Sequence, residues 1–158
     1  MLAHGLLKHG IGDPIPGARV LDLFAGTGAV ALEALSRGAV FAAMVDDGIE
    51  ARGLQRGNVE ALGLGGLTKI LRRDATRLGP ASPFTPFQVI FCDPPYGLGL
   101  GEKALASALA GGWLADGAIV ILEERQGLEV AFPEPITLLD QRVAGEGQVL
   151  IGRFKAPE

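Results

Sequence analysis

Apolar strands that alternate with helical segments, with glycines at the joins, predict an α/β protein built on a doubly wound, mostly parallel sheet. Two further observations support this. Stretches such as VLDLF and FQVIF are near-continuous apolar runs, as expected of strands covered by helices on both faces. Toward the end, ITLLDQRVAGEGQVLIGRF reads instead as two strands around Gly145 to Gly147, a hairpin that brings the strand total to seven.

Taken in order, Pro14, Pro16 and Gly17 mark a turn before the first strand, ARVLDLF, Ala18 to Phe24. AGTG breaks that strand, and AVALEALSRG takes helical spacing with Ala29, Leu32 and Leu35 near one face. Thr27 is the expected cap and Gly38 the expected stop. AVFAAMVDD is a second strand that finishes in acids. IEARGLQRGNVEALG is a helix with an Arg-bearing outer face, despite two internal glycines. TKILRRDA is the third strand, RLGPASPFTP a polar, proline-rich loop, and FQVIFCD the fourth strand. EKALASALAGGWL is a helix and GAIVILEE the fifth strand. At the front, MLAHGLLKHG has the look of the last turns of a helix. That helix and its linker, residues 1–17, lead into a single domain over 1–158, and His4 and His9 are expected on the surface.

The 158 residues and 48% hydrophobic content suit one domain with a real core. A single cysteine rules out an internal disulfide framework and makes a conventional zinc site improbable, so no metal is expected and a reducing, cytoplasmic setting is the default. No apolar run reaches about 18 residues and no signal-peptide pattern appears, so neither membrane spanning nor secretion is expected. A net charge of −4 argues against nucleic-acid binding by bulk electrostatics. Charge is uneven, however: six basic residues lie between Arg52 and Arg77, whereas ten acids and five bases follow from Asp93 onward.

The chemistry gathers at strand ends. DLFAGTG, Asp22 to Gly28, puts Phe24, Ala25, Gly26, Thr27 and Gly28 at a strand-to-helix corner, where backbone can approach a ligand before a helix N-terminus. Alone, GTGAVA resembles a loose dinucleotide fingerprint, with Asp46 twenty residues past Gly26 in place for ribose hydroxyls. Three features favour S-adenosylmethionine over NAD. Asp22 is placed to order the glycine loop and meet a positively charged methionine portion rather than a pyrophosphate. Asp46 or Asp47 can take both ribose hydroxyls. Asp74 can accept from an adenine amine, with Ala75 offering a backbone N–H. Each acid alone would also suit a strand end or helix cap; together they line one edge of the sheet.

CDPPYG, Cys92 to Gly97, ends the fourth strand in a stiff corner. The ring of Pro94 restricts Asp93 to extended backbone, and Pro95 restricts Pro94 in the same way. Asp93 and a proline carbonyl then make paired acceptors beside the flat ring of Tyr96. A planar base with an exocyclic amine needs that combination: two N–H acceptors and a stacking surface worth about 1–3 kcal/mol per base. Cys92 lies within the strand with no accompanying base and reads as a buried small hydrophobe.

VLDLFAGTGAVALEALSRGA, Asn58, DPPYG, and the sequence from Trp113 through a strand to Glu123 resemble the bacterial methyltransferases that modify guanine N2 in 16S ribosomal RNA. The likeness runs from about Val20 to Glu123 and weakens beyond. DPPY is shared with other amino-methyltransferases; the long glycine-loop string is the more specific part. The resemblance implies a Rossmann-like methyltransferase sheet of order 3-2-1-4-5-7-6 with the last strand antiparallel. It further implies S-adenosylmethionine as cofactor and small-subunit RNA or its assembly intermediate as partner; a monomer is expected, although no sequence feature sets the oligomeric state. Carried over, Asp22, Gly26 and Gly28 hold the cofactor, Asp46 binds ribose and Asp74 binds adenine. Asp93, Pro94, Pro95 and Tyr96 receive the guanine. Three departures stand out. The family's Arg-rich segment and short hairpin are expected ahead of MLAHG, and these 158 residues do not include them. Asp46 replaces a usual Glu, and Ala144-Gly145 stands where Tyr-Gly is expected. Phosphate contacts then fall to Arg52, Arg56, Arg72, Arg73 and Arg125. The alternatives are an amino-methyltransferase acting on another RNA or DNA base and a cofactor-binding homologue without turnover. An NAD dehydrogenase is disfavoured, since no Tyr-Lys or His-Asp pair stands out.

Overall fold

The computed structural model describes residues 12–157, so the helix read in MLAHGLLKHG, with His4 and His9, lies outside the described residues. Seven strands form one sheet of order β3-β2-β1-β4-β5-β7-β6. In chain order these are β1 (Arg19–Leu23), β2 (Phe41–Val45), β3 (Thr68–Leu71), β4 (Phe87–Cys92), β5 (Leu114–Arg125), β6 (Ile136–Ala144) and β7 (Gly147–Phe154). β1 to β5 pair in parallel, whereas β7 runs antiparallel to both β5 and β6.

Helices cover both faces. α1 (Ala29–Ser36) and α2 (Ile49–Leu62) bury Ala31, Leu32, Leu35 and Val59 against Val20, Ala42, Met44 and Val89. α3 (Leu100–Gly111) buries Ala104, Leu105 and Ala108 against the opposite face, with Leu21, Leu23, Ile90 and Leu122. The alternation in β1, Val20 to one side and Leu21 and Leu23 to the other, explains why the strand reads as a continuous apolar run.

Several boundaries differ from the sequence reading. β2 ends at Val45, before the two acids read into it, and β5 begins at Leu114 rather than Gly117. Three further differences bear on the site. β3 stops at Leu71, because Arg72 and Arg73 leave the ladder as the apolar pattern ends. α3 stops at Gly111 with left-handed Gly112 as its cap, so Trp113 lies beyond the helix. Trp113 is wholly buried, stacks on Phe87 and donates its indole N–H to the Gly79 carbonyl at 2.8 Å. Finally, the residue capping α1 is Gly28, with Thr27 Oγ1 accepting the Ala29 N–H from one position earlier, at 3.3 Å.

Strand order reverses between β1 and β4, the place where open α/β sheets bind ligands. Register then fixes what meets there. Leu23 pairs with both Val45 and Cys92, Val45 with Leu71, and Cys92 with Leu122. Phe24, Asp46, Arg72, Asp93 and Glu123 are the residues that follow, so the loops carrying the predicted acids leave the sheet along one edge.

Candidate active site

The glycine loop between β1 and α1 follows from left-handed backbone at Phe24 (φ 61), Gly26 (φ 56) and Gly28 (φ 82). A side chain at Gly28 would also collide: its Cβ would sit 2.5 Å from Met44 Sδ. Neighbouring elements tie the loop down. The Gly26 N–H donates to Asp46 Oδ2 at 3.0 Å, and Gln55 Nε2 donates to the Gly26 carbonyl at 2.8 Å. Asn58 Nδ2 donates to the Thr27 carbonyl at 3.0 Å, and the Ala25 N–H to the Val45 carbonyl at 2.9 Å.

Asp22 lies beneath this loop and is 3% exposed, with one carboxylate oxygen, Oδ2, lacking any hydrogen-bond partner. Burial pushes its carboxyl up to about 7, with smaller contributions from the Asp93 and Asp46 charges, against a lowering hydrogen bond from the Ala31 backbone. An orphaned acid in such a place costs stability unless a cation or donor reaches it.

A cavity of about 450 Å³ opens at this edge of the sheet, lined by Phe24, Asp46, Asp47, Arg73, Asp74, Ala75, Asp93, Pro94 and Pro95. Asp46 serves the backbone, since its Oδ1 also accepts the Gly48 N–H at 2.9 Å; Asp47 is exposed on the wall. Asp74 caps the short 3-10 turn Ala75–Arg77, accepting from the Thr76 hydroxyl at 2.7 Å and N–H at 2.9 Å. These bonds hold its carboxyl below the usual range. Arg73 donates to the Leu78 carbonyl and lies over the Trp113 ring. An acid-lined wall suits a ligand that carries a cation together with hydroxyl and amine donors.

At the rim, Asp93 follows β4 and its N–H reaches the Leu23 carbonyl at 3.5 Å. Partial burial, then the Glu123 charge and hydrogen bond, push its carboxyl up to about 6. Pro94 is buried and Pro95 exposed. Half-buried Tyr96 donates its hydroxyl to Glu123 Oε1 at 2.7 Å, which pushes the phenol up to about 12. Glu124 Oε1 accepts the Gly97 N–H at 2.9 Å and the Arg125 N–H at 2.7 Å. The corner is thereby clamped to the end of β5. Tyr96 opens on a second cavity, of about 610 Å³, with Arg125, Gln126, Gly127 and Glu146. Cys92 is buried, and burial pushes its thiol up, which leaves it inert as a nucleophile.

Residues 5–153 match the family described as conserved hypothetical protein 95. The chain belongs to that family. It is 35% identical over 135 residues to ribosomal RNA small subunit methyltransferase D of Escherichia coli, a match covering 84% of this chain and 66% of the relative. The chain thus spans just under two-thirds of that relative's length. It is 39% identical over 107 residues to the tRNA (guanine(6)-N2)-methyltransferase of Thermus thermophilus, covering 65% of this chain and 30% of that protein. Among solved structures, TrmN from Thermus thermophilus superposes with a TM-score of 0.76 at 32% identity, over 97% of this chain and 48% of that one.

Within the family's fold, the cavity wall brings together Phe24, Asp46, Asp47, Asp74, Ala75, Asp93, Pro94 and Pro95. Asp22 is not part of that wall but buried within β1, Ala25 to Gly28 form the loop that follows it, and Tyr96 turns to the second cavity. Sequence reasoning missed Gln55 and Glu124, both buried. Gln55 and Asn58 stand three apart on α2, so both reach the glycine loop, and a polar pair at that spacing is the signal that could have shown them. Among the described residues no helix is long and apolar enough to cross a membrane. No group of three or more His, Cys, Asp or Glu among them is arranged to hold a metal ion.

Proposed function

We propose that the chain binds S-adenosylmethionine and transfers its methyl group to the N2 amine of a guanine in small-subunit ribosomal RNA. The observation that carries this reading is the Asp93–Tyr96 corner, acceptors and aromatic together, opening beside an acid-lined cavity, with an orphaned buried carboxylate at Asp22 on the neighbouring strand. That orphaned Asp22 oxygen is the test of fit: a ligand with a cationic methionine portion supplies the partner it lacks. Asp46 or Asp47 is assigned to ribose, and Asp74 with the Ala75 N–H to adenine. The cofactor, when bound, supplies an electrophilic methyl on a positively charged sulfur.

The protein's own part is orientation and proton acceptance. Asp93 and a proline carbonyl take the two amine hydrogens, which aims the nitrogen lone pair toward the methyl. Tyr96 stacks on the base. As the N–C bond forms, the amine gives up one proton, and Asp93 is the acceptor, held near neutrality by its surroundings. Positive charge developing on nitrogen is stabilised by the same carboxylate. A base inside folded RNA must first be unstacked, at a cost of a few kcal/mol. Likeness to the small-subunit RNA methyltransferases, rather than this cost, favours assembled or partly assembled small subunits as the substrate.

The activities named for the relatives support an RNA substrate, and that of the Thermus thermophilus tRNA methyltransferase supports guanine N2. The experiment is transfer of radiolabelled methyl to small subunits from cells lacking their guanine-N2 modifications, with transfer RNA offered in parallel. Labelled N2-methylguanosine in the small subunit is the expected product. Label confined to transfer RNA would move the substrate, and label on another base would overturn the guanine assignment.

A further inference from the structure

We propose that Glu123 specifies guanine at this site: Tyr96 holds one of its carboxylate oxygens, and the other accepts the N1–H beside the amine that Asp93 engages. The inference rests on the guanine reading above and adds a residue to the same site.

The register of the sheet makes the arrangement. Cys92 pairs with Leu122, so Asp93 and Glu123 are the next residues on adjacent strands. Beside partial burial, it is Glu123 that pushes the Asp93 carboxyl up, as expected of two acids at neighbouring register positions. Tyr96 Oη donates to Glu123 Oε1 at 2.7 Å, fixing the carboxylate plane. β7 packs directly against this pair: a Cβ at Gly147 would lie 2.9 Å from Tyr96 Oη and 3.4 Å from Glu123 Oε1. Glu124, by contrast, is occupied by the Gly97 and Arg125 N–H groups. The ion pairs among the described residues involve neither Asp93 nor Glu123. Two carboxyls thus stand side by side at the corner that receives the base, without a cation between them. Like charges at this range disfavour joint ionisation, and a neighbour rich in N–H donors relieves the conflict.

Guanine has that character among the RNA bases. Its N1–H and the two N2 hydrogens lie in a row on one edge. Adenine and cytosine each place their amine beside an unprotonated ring nitrogen, whose lone pair would face a carboxylate. A site built to hydrogen-bond a donor rejects analogues lacking it, because its own acceptor is left unpaired. Asp93 and the proline carbonyl are taken by the amine. Glu123 is the acceptor that remains for N1–H.

The test uses the nucleotide labelled in the small-subunit experiment, replaced by 2-aminopurine through ligation of RNA fragments. 2-Aminopurine keeps the amine but has a bare N1. Wild-type protein is expected to show a kcat/KM at least about 100-fold lower on the 2-aminopurine RNA than on the guanine RNA. Glu123→Gln can donate its amide N–H to a bare ring nitrogen. It is expected to lower kcat/KM on guanine about 10–100-fold and to shrink the guanine-to-2-aminopurine ratio at least about tenfold. A ratio that stays put while both rates fall would make Glu123 a prop for Tyr96 and overturn the assignment. Unchanged rates and ratio would overturn it as well. Wild-type protein that labels no guanine in any RNA would overturn the guanine reading, and this inference with it.

Discussion

Replacing Asp22 with Asn is expected to make the protein more stable and a poorer binder at once. The side chain is 3% exposed and its carboxyl is raised from 3.8 to about 7, chiefly by burial. Between those two values the folded protein keeps a proton that the unfolded chain has released. Stability therefore falls as pH rises from about 4 to about 7, and the loss is complete above the folded value. A difference of this size corresponds to about 4 kcal/mol at full ionisation, an upper figure because local relaxation lowers it. Asn keeps the shape and removes the charge. Unfolding in urea, followed from pH 5 to pH 8, should show wild-type protein losing stability that Asp22→Asn retains. In melting temperature, at about 2–4 °C per kcal/mol for a chain of this length, the gap between them at pH 8 should exceed about 5 °C. Calorimetric titration with S-adenosylmethionine should then give a dissociation constant at least about tenfold weaker for the variant, since a neutral amide does not balance a cation. Parallel pH profiles would refute the desolvation argument. An unchanged dissociation constant would refute the assignment of Asp22 to the cofactor.

Asp93→Ala should cut methyl transfer by at least about 100-fold while leaving cofactor affinity within about threefold, because Asp93 faces the amine; equal losses in both would misplace it. The single-turnover rate should rise as pH passes through about 6, where Asp93 becomes an ionised acceptor, and a rate that fell over that range would exclude it as the proton acceptor. Asp46→Ala removes acceptors from the Gly26 and Gly48 N–H groups and should cost about 1–3 kcal/mol in urea unfolding and weaken the cofactor. A stability loss with unchanged affinity would assign the ribose to Asp47. Gly28→Ala combines left-handed backbone with a 2.5 Å approach to Met44 Sδ and should destabilise by about 2–4 kcal/mol. Gly26→Ala, open around its Cβ, should lose only about 1–2 kcal/mol, and equal losses would remove Met44 from the account.

The strands and their alternation with helices were legible because each parallel strand is buried on both faces, and such burial leaves a continuous apolar run. Ends were less so. In TKILRRDA the pairing stops at Leu71, and only the two arginines hint that Asp74 belongs to a loop. Gly112, left-handed, ends α3 before Trp113, whose burial made it look helical. The acids of the site were visible for a structural reason: parallel strands in register deliver their C-terminal residues to one edge. What those acids bind within the protein was not visible. Asp46 meets Gly26 across 20 residues, Gln55 meets the same glycine across 29, and Glu124 meets Gly97 across 27. No local spacing encodes such partners, and they appear once the sheet has brought distant loops together.

The carboxylates at the edge also do not act one at a time. Asp93 raises the proton affinity of Asp22, and Glu123 does the same to Asp93, in each case as an addition to the larger effect of burial. Asp22 facing a cation would give up its proton, and the sulfonium charge brought to the methyl-transfer point beside Asp93 would lower the proton affinity of Asp93. On the proposed reading, the corner therefore accepts amine hydrogens best once the cofactor side is filled. Base binding should accordingly be tighter with the cofactor in place than without it. By thermodynamic linkage the cofactor should gain the same factor from the base.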